Sequence, residues 1–281
     1  MASITDKIQP IPLSELHTFQ NHPFQVKDDD ALRELAQSIR ENGVLSPAIA
    51  RPRKEGGYEL IPGHRRKAAC ELAGVAAMPV IVRELDDNEA TIVMVDSNQQ
   101  REHLLPSEKA FAYKMKLDAM KNQGKRNDLT SGQVGQKSKV SVEILGEQNG
   151  VNYKQIQRYI RLTRLIPEFL QMVDEKQIAF NPAVELSYLS KGLQSTLKEA
   201  MAVHQCSPSL SQAQRMKKLS QHGELNTEQI FKILSEAKAN QQEKISFNID
   251  RIKAYFPPGY TPRQMERSIL GLLEERMKSY R

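Results

Sequence analysis

Tyr58-Glu59-Leu60-Ile61-Pro62-Gly63-His64-Arg65-Arg66-Lys67-Ala68-Ala69 passes from an extended segment into a helix across Pro62-Gly63. Tyr58 to Ile61 reads as a strand, and the helix runs from His64 to about Leu72, with Gly74 as its stop. Gly63 permits a tight turn, and the helix start directs N–H groups that no helical carbonyl satisfies outward. Three consecutive cations, Arg65, Arg66 and Lys67, surround that point, so the stretch describes an anion or phosphate site. A bare Gly-x-Arg-Arg string also recurs by chance as a solvated basic turn. The neighbouring segments therefore have to decide.

Upstream, Asp28, Asp29 and Asp30 cap a helix whose Leu32, Leu35, Ala36 and Ile39 follow helical spacing up to Gly43. Extended segments are expected at Pro47 to Arg51 and Val80 to Arg83, which makes the first hundred residues a small α/β unit. From Asp86 to about Gln123 the pattern is helical, with a fresh start at Pro106-Ser107-Glu108. A polar helix end, Asp96-Ser97-Asn98-Gln99-Gln100-Arg101, carries groups that reach phosphate oxygens or, through water, a metal. Gln123 to Lys139 reads as a linker or hinge. Helices continue to about Lys238, broken at Gly146 to Gly150, Pro167, Pro182, Pro208 and Gly223. Ile245, Phe247 and Ile249 alternate like a strand, and Thr261 to Tyr280 forms an amphipathic helix with Met265, Ile269, Leu272, Leu273 and Met277 on one side. That stripe suits either an intramolecular cap or a dimer contact.

The 281 residues are 39% apolar with no Trp and only two Cys, Cys70 and Cys206, which excludes a disulfide scaffold and a zinc cluster. The longest apolar run, Val75 to Val82, is interrupted by Pro79 and is far below the roughly 20 residues that span a bilayer. The opening residues lack the regions of a signal peptide. A cytoplasmic protein with no membrane partner is the expectation. The net charge of +6 is uneven: residues 1–100 are net −4, residues 101–170 net +6 and residues 171–281 net +4. A polyanion should therefore dock from the middle of the chain onward.

In that basic region lies a helix from Val142 to Gln148, the turn Asn149-Gly150-Val151-Asn152, and a helix from Tyr153 to Leu165. Two short helices across a Gly-containing turn make a helix-turn-helix, whose second helix can enter the major groove. Ile156, Ile160 and Thr163 face inward. The other side presents Lys154, Gln155, Gln157, Arg158 and Arg161, types that read base edges or hold phosphates.

Taken in order, these segments resemble the ParB family of chromosome and plasmid partition proteins. Leu35-Ala36-Gln37-Ser38-Ile39 with Gly43 and Pro47 is similar to the family's first segment. Tyr58 to Ala69 is similar to its Gly-Glu-Arg-Arg motif, Ser97 to Arg101 to its Glu-Asn-x-Gln-Arg motif, and Leu105 to Ala110 to its next helix start. The resemblance covers residues 8 to 190 and implies a ParB-like nucleotide-binding domain (1–122) and a helix-turn-helix domain (123–240); with the C-terminal strand-helix segment (241–281) read from its own pattern, the expected architecture is α+β. The resemblance further implies a homodimer that binds CTP with magnesium, loads at a site on double-stranded DNA, closes as a clamp and slides, with a ParA-like ATPase as a candidate partner and a nucleoid or plasmid location.

Carried over residue by residue, Gly63, His64, Arg65, Arg66 and Lys67 cradle the triphosphate. Ser97, Asn98 and Arg101 approach the phosphates, Asn98 also the metal, and Ser38 and Gly43 shape the floor. Lys125, Arg126, Tyr153, Lys154, Gln155, Gln157, Arg158 and Arg161 contact DNA. Two family glutamates are His64 and Ser97 here, so CTP is expected to bind with weak hydrolysis at most; Asp96 is one position off, about 100° around the helix. The rival readings are a ParB-fold nuclease or nucleotide-dependent enzyme, and a helix-turn-helix transcriptional regulator.

Overall fold

The computed structural model describes residues 7–99 except 21, 25 and 27; 104–127; 142–236 except 149; and 252–279 except 254 and 258. The chain divides into two compact units, 1–235 and 236–281.

The first unit begins with five strands: β1 (Ile8–Pro12), β2 (Leu16–Thr18), β3 (Ala48–Pro52), β4 (Tyr58–Leu60) and β5 (Ala77–Val82). They form one mixed sheet in the order β1-β5-β3-β4-β2. The β3–β4 and β1–β5 pairs are antiparallel, and the β3–β5 and β2–β4 pairs parallel. Helix α1 (Asp30–Asn42) buries Leu32, Ala36 and Ile39; the Asp29 carboxylate caps it by accepting Leu32 N at 2.8 Å, and Gly43 ends it at φ 70°. Helix α2 (His64–Ala73) ends at Gly74 in the left-handed region. The α1 stripe, Ala69 and Cys70 of α2, and Ala48, Ala50, Leu60, Met78 and Val80 of the sheet make one apolar core.

A second core joins the sheet to two further helices, α3 (Asp87–Gln99) and α4 (Pro106–Asn127), through Phe19, Phe24, Ile61, Ala90, Met94, Val95 and Ala112. Asp86 caps α3 by accepting the N–H groups of Asn88 and Glu89. Helix α4 starts with Pro at its first position, where a missing N–H costs nothing. Beyond it come α5 (142–148), α6 (Tyr153–Leu162), α7 (Pro167–Asp174), α8 (Phe180–Leu186), α9 (Lys191–His204), α10 (Leu210–Gln221) and α11 (Thr227–Ser235). Leu162, Phe169, Ile178, Leu186, Leu197, Met216 and Ile230 fill a helical core that also takes in Ala110 of α4. In the second unit the long element is α12 (Pro262–Ser279). Among the described residues, the protein is thus an α+β chain with its strands in the first third.

Several expectations need correction. Three strands were legible, whereas the sheet has five: β1 carries Pro10 and Pro12, β2 has three residues, and both are edge strands, where a proline withholds no needed donor. The third strand ends at Val82 and not Arg83. The expected linker begins inside α4, which continues to Asn127; the rest of it, 128–139, lies outside the described residues, as does the expected strand at 245–249. The second helix of the helix-turn-helix stops at Leu162 and not Leu165, because Thr163 folds its N–H and hydroxyl back onto Ile160 O ahead of Pro167. Pro182 does not break a helix but sits in the first turn of α8, where its N–H has no helical acceptor to lose.

Lys116 of α4 is nearly sealed, its side chain 4% exposed, and its ammonium donates to Asp96 of α3 at 2.5 Å. Removing the carboxylate would leave a charge away from water with its partner gone. We expect Asp96→Asn to lower unfolding free energy by about 2 kcal/mol, a value held below the fully buried range because Asp96 itself is half exposed. In urea melts, Asp118→Asn on the exposed side of α4 should stay within about 0.5 kcal/mol of the parent.

Candidate functional site

Two constellations stand out. The first is the turn into α2. Gly63 has φ 128°, and a Cβ there would lie 2.8 Å from Ala48 Cβ in the sheet, so glycine lets the turn sit against β3. The first helical bond of α2 runs from Lys67 N to Gly63 O, and no side chain caps the helix, unlike α1 and α6. The N–H groups of its first turn are therefore not taken up by a capping side chain.

The structure gives each neighbouring cation an internal partner. Arg65 makes a forked pair with Asp29, at 3.2 and 3.0 Å. Arg66 donates through Nη1 to the carbonyls of Ser46 and Pro47, both at 2.6 Å, which ties the loop after α1 to α2. Burial lowers the Arg66 pKa without discharging a guanidinium. Lys67 pairs with Glu71 at 2.8 Å. His64 is buried, and its Nε2 accepts Phe19 N at 3.4 Å while the His22 ring lies 3.9 Å from it. A cavity of about 370 Å³ opens here, lined by residues including Thr18, His22, Phe24, His64, Lys67 and Glu71.

Ile61, two residues before Gly63, packs in one core with Met94 and Val95, which carries the end of α3 to the same region. There Ser97 Oγ donates to Met94 O, and the buried Asn98 spends its amide on Met94 O at 2.8 Å and Ser97 Oγ at 3.4 Å. Asp96 is committed to Lys116. Ser38 sits half-buried on α1 with Gly43 at that helix's end. Arg101 lies outside the described residues. Among the described residues, no group of three or more His, Cys, Asp or Glu is arranged to hold a metal. Sequence reasoning missed Asp29 as the partner of Arg65, and also His22 and Phe19. Asp29 was visible only as a helix cap.

The second constellation is the helix-turn-helix. Gly146 of α5 lies so close to the turn that a Cβ would stand 2.7 Å from Val151 O, and Val151 N donates to Gly146 O at 3.0 Å. Gly150 takes φ 62°, and the Asn152 side chain caps α6 through Lys154 N. Tyr113 and Leu117 of α4 pack on Val142, Leu145 and Ile156, which fixes the pose of α6. The structure then divides the polar face of α6. Tyr153, Lys154 and Gln157 are exposed; Gln155, Arg158 and Arg161 are half-buried. Arg158 donates to Asn181 and lies 5.2 Å from the Phe180 ring. Arg161 donates to the side chain and carbonyl of Ser187, and its guanidinium lies 3.8 Å from the Tyr188 centroid, a ring that Lys217 also approaches at 3.8 Å. Tyr188 and Lys217 carried no sequence signal. The side chains of Lys125 and Arg126 lie outside the described residues, although the α4 backbone includes them.

A strand-turn-helix with three cations at the helix start, followed by a helix-turn-helix, defines the class, and comparison with known proteins agrees. The ParB N-terminal domain family matches residues 2–99. The probable chromosome 1-partitioning protein ParB of Deinococcus radiodurans is 42% identical over 117 residues, covering 42% of this chain and 40% of that protein. The chromosome-partitioning protein Spo0J of Thermus thermophilus is 30% identical over 200 residues, covering 69% of this chain and 67% of that one. A nucleoid occlusion protein of Listeria monocytogenes is 31% identical over 173 residues, 62% of this chain and 54% of that protein. The chain belongs to the ParB family of partition proteins. It spans from two-fifths to two-thirds of the length of these relatives. Among solved structures, C-terminally truncated ParB of Caulobacter crescentus complexed to the centromeric parS site aligns with a TM-score of 0.44 at 19% identity, covering 82% of this chain and all of that one. The same protein complexed with CTP-gamma-S aligns with a TM-score of 0.32 at 24% identity, covering 69% of this chain and 98% of that one.

Two expected outcomes follow from the geometry. Gly63→Ala should cost about 2–4 kcal/mol, since it adds left-handed strain to a clash with a buried sheet residue, whereas Gly192→Ala, where a Cβ meets open space, should cost nothing measurable. The hydrogen bond from Arg65, with that from Leu32 N, holds the Asp29 carboxyl below its ordinary pKa. A depressed folded-state pKa contributes stability above the ordinary carboxylate value and loses it as pH falls through the depressed one. Asp29→Asn should therefore flatten the acid limb of stability against pH and leave its slope above neutrality unchanged.

Proposed function

We propose that this protein is a CTP-responsive, sequence-specific DNA-binding clamp acting in plasmid or chromosome segregation. The observation that carries the DNA part is the helix-turn-helix, whose second helix is held on α4 and offers Tyr153, Lys154 and Gln157 outward. Lys154 suits phosphate and Gln157 suits a base edge. Arg158 and Arg161, buttressed by Asn181 and Ser187, support the pose of α6 and present positive charge from a fixed position. Lys125 and Arg126 add phosphate contacts ahead of the motif. The working unit is a homodimer on double-stranded DNA, located with nucleoid or plasmid, and a ParA-like ATPase is its partner. Its parts are residues 1–122 for nucleotide, 123–240 for DNA and 241–281 for dimerisation.

The turn into α2 fits a nucleoside triphosphate: an uncapped helix start, Arg65, Arg66 and Lys67 beside it, and Asn98 and Ser97 brought near through the Ile61–Met94 packing. Gly63 to Lys67 would hold phosphate oxygens, with Ser38 and Gly43 at the floor and Arg101 as a further phosphate ligand. Bound magnesium would offset triphosphate charge, with Asn98 as its proposed contact. To grip a phosphate, Arg65 exchanges or shares Asp29, so nucleotide binding couples to the cap of α1. His64 and Ser97 stand where the family motif has glutamates and Asp96 is spent on Lys116, which supports binding with at most weak hydrolysis.

Footprinting and calorimetry test both halves. On a selected DNA site, Gln157→Ala should cost about 1–3 kcal/mol and relax specificity, and Lys154→Ala should weaken all sequences alike and reduce the salt slope by about one. Gln155→Ala and Arg158→Ala should relax site choice as well. CTP titration should give binding with little turnover, and Asp29→Asn should tighten it by freeing Arg65. Absence of any preferred DNA site at low salt would sink the partition reading, and nicking of plasmid abolished by His64→Ala would replace it with the nuclease.

A further inference from the structure

The end of α6 is gripped by three successive residues that follow α8: Ser187, Tyr188 and Leu189. Ser187 Oγ donates to Val184 O at 2.6 Å and, so oriented, accepts Arg161 Nε at 3.2 Å, while the Ser187 carbonyl accepts Arg161 Nη2 at 3.2 Å. Leu189 O accepts the amide of Gln194, a buried side chain of α9 that also bonds Arg164 O and Ile166 N just beyond α6. Between these two anchors, Tyr188 offers its ring to cations. The Arg161 guanidinium and the Lys217 ammonium of α10 each lie 3.8 Å from its centroid. Two like charges that close to one centroid take opposite faces, because on one face they would be in contact and repel. The ring is therefore a spacer between α6 and α10 that attracts both cations through the negative charge of its faces. Lys217 is set in turn by Glu185 of α8, at 2.8 Å.

Tyr188 is itself 41% exposed, so burial of the ring does not account for its place. We infer that Tyr188 is a positioning residue for DNA-site recognition: held between a cation of α6 and a cation of α10, its ring locks the roll at which α6 meets the groove. The two bonds to Ser187 hold Arg161 by one edge of the guanidinium and leave it free to pivot about that edge. A ring face 3.8 Å from the guanidinium carbon removes the pivot. A helix is rigid over one turn, so fixing Arg161 fixes the azimuth of Gln157, four residues earlier. A side chain that reads a base edge has to be held to within about 0.5 Å and about 10–20°. The other end of α6 is set by Ile156, packed on Tyr113 and Leu117 of α4, so the helix is fixed at both ends. The inference rests on the DNA-binding reading and adds to it a residue outside the helix-turn-helix that acts through Arg161 and not by touching DNA.

Fluorescence anisotropy of the full chain on its selected DNA site and on a scrambled duplex of equal length tests it, the quantity read being the ratio of the two Kd values. Tyr188→Leu, which fills the space without a charged ring face, should lower that ratio about tenfold and leave the scrambled-duplex Kd and its salt slope unchanged. Tyr188→Phe keeps the ring and should stay within about twofold of the parent. Phenylalanine carrying three and then five ring fluorines at position 188 keeps the ring's outline while draining charge from its faces, and should lower the ratio stepwise. This series also decides the matter if Tyr188→Leu does not fold, which urea melts of each variant would reveal. A ratio unchanged in Tyr188→Leu, a fluorinated series that stays flat, or an equal loss on both duplexes overturns the inference and leaves DNA recognition by α6 standing. A parent chain with equal Kd on every duplex removes the DNA-binding reading, and the inference with it.

Discussion

Helix α4 is the constraint on which the first unit depends. Its 22 residues, about 33 Å, contribute to three apolar cores: Ala112 to the one beneath the sheet, Tyr113 and Leu117 to the helix-turn-helix, and Ala110 to the helical bundle. Two polar contacts fix its position. Lys116 pairs with Asp96 of α3, and the first turn is held by Asp174 of α7, which accepts both the N–H and the hydroxyl of Ser107. Because successive turns of one helix serve different cores, the turn into α2 and the helix-turn-helix are joined through a shared helix within that unit. Both α3 and α6 pack on α4.

Around α2 the chemistry is one of held charge. Arg65, Arg66 and Lys67 sit in an acidic domain, and each is matched by a carboxylate or by carbonyls. The cost of collecting three cations at a helix N-terminus, where the dipole is itself positive, is met by these local partners. The carboxylate that holds Arg65, Asp29, also caps α1, so one side chain ties the turn into α2 to the start of α1.

On α6, packing converts a uniform basic face into two classes of side chain. Arg158 and Arg161 lie toward α8 and find Asn181, Ser187 and aromatic rings there, while Lys154 and Gln157 lie away from it and stay solvated. Residue type gives no hint of this division, since Arg158 and Lys154 look interchangeable in sequence; only the position of α8 across from one side of the helix separates them.

The sequence by itself determined the strand-turn-helix around Gly63, the cap at Asp29, the start of α4 at Pro106, the helix-turn-helix and the order of the family motifs, because each is written in contiguous residues whose backbone preferences are local. It left β1 and β2 unread, since short proline-bearing edge strands take their order from the neighbours they pair with. It also left unread the pairing of Arg65 with Asp29, of Lys116 with Asp96 and of Arg161 with Ser187. Those contacts join residues 20 to 36 positions apart, and only the tertiary fold brings such groups within hydrogen-bonding reach.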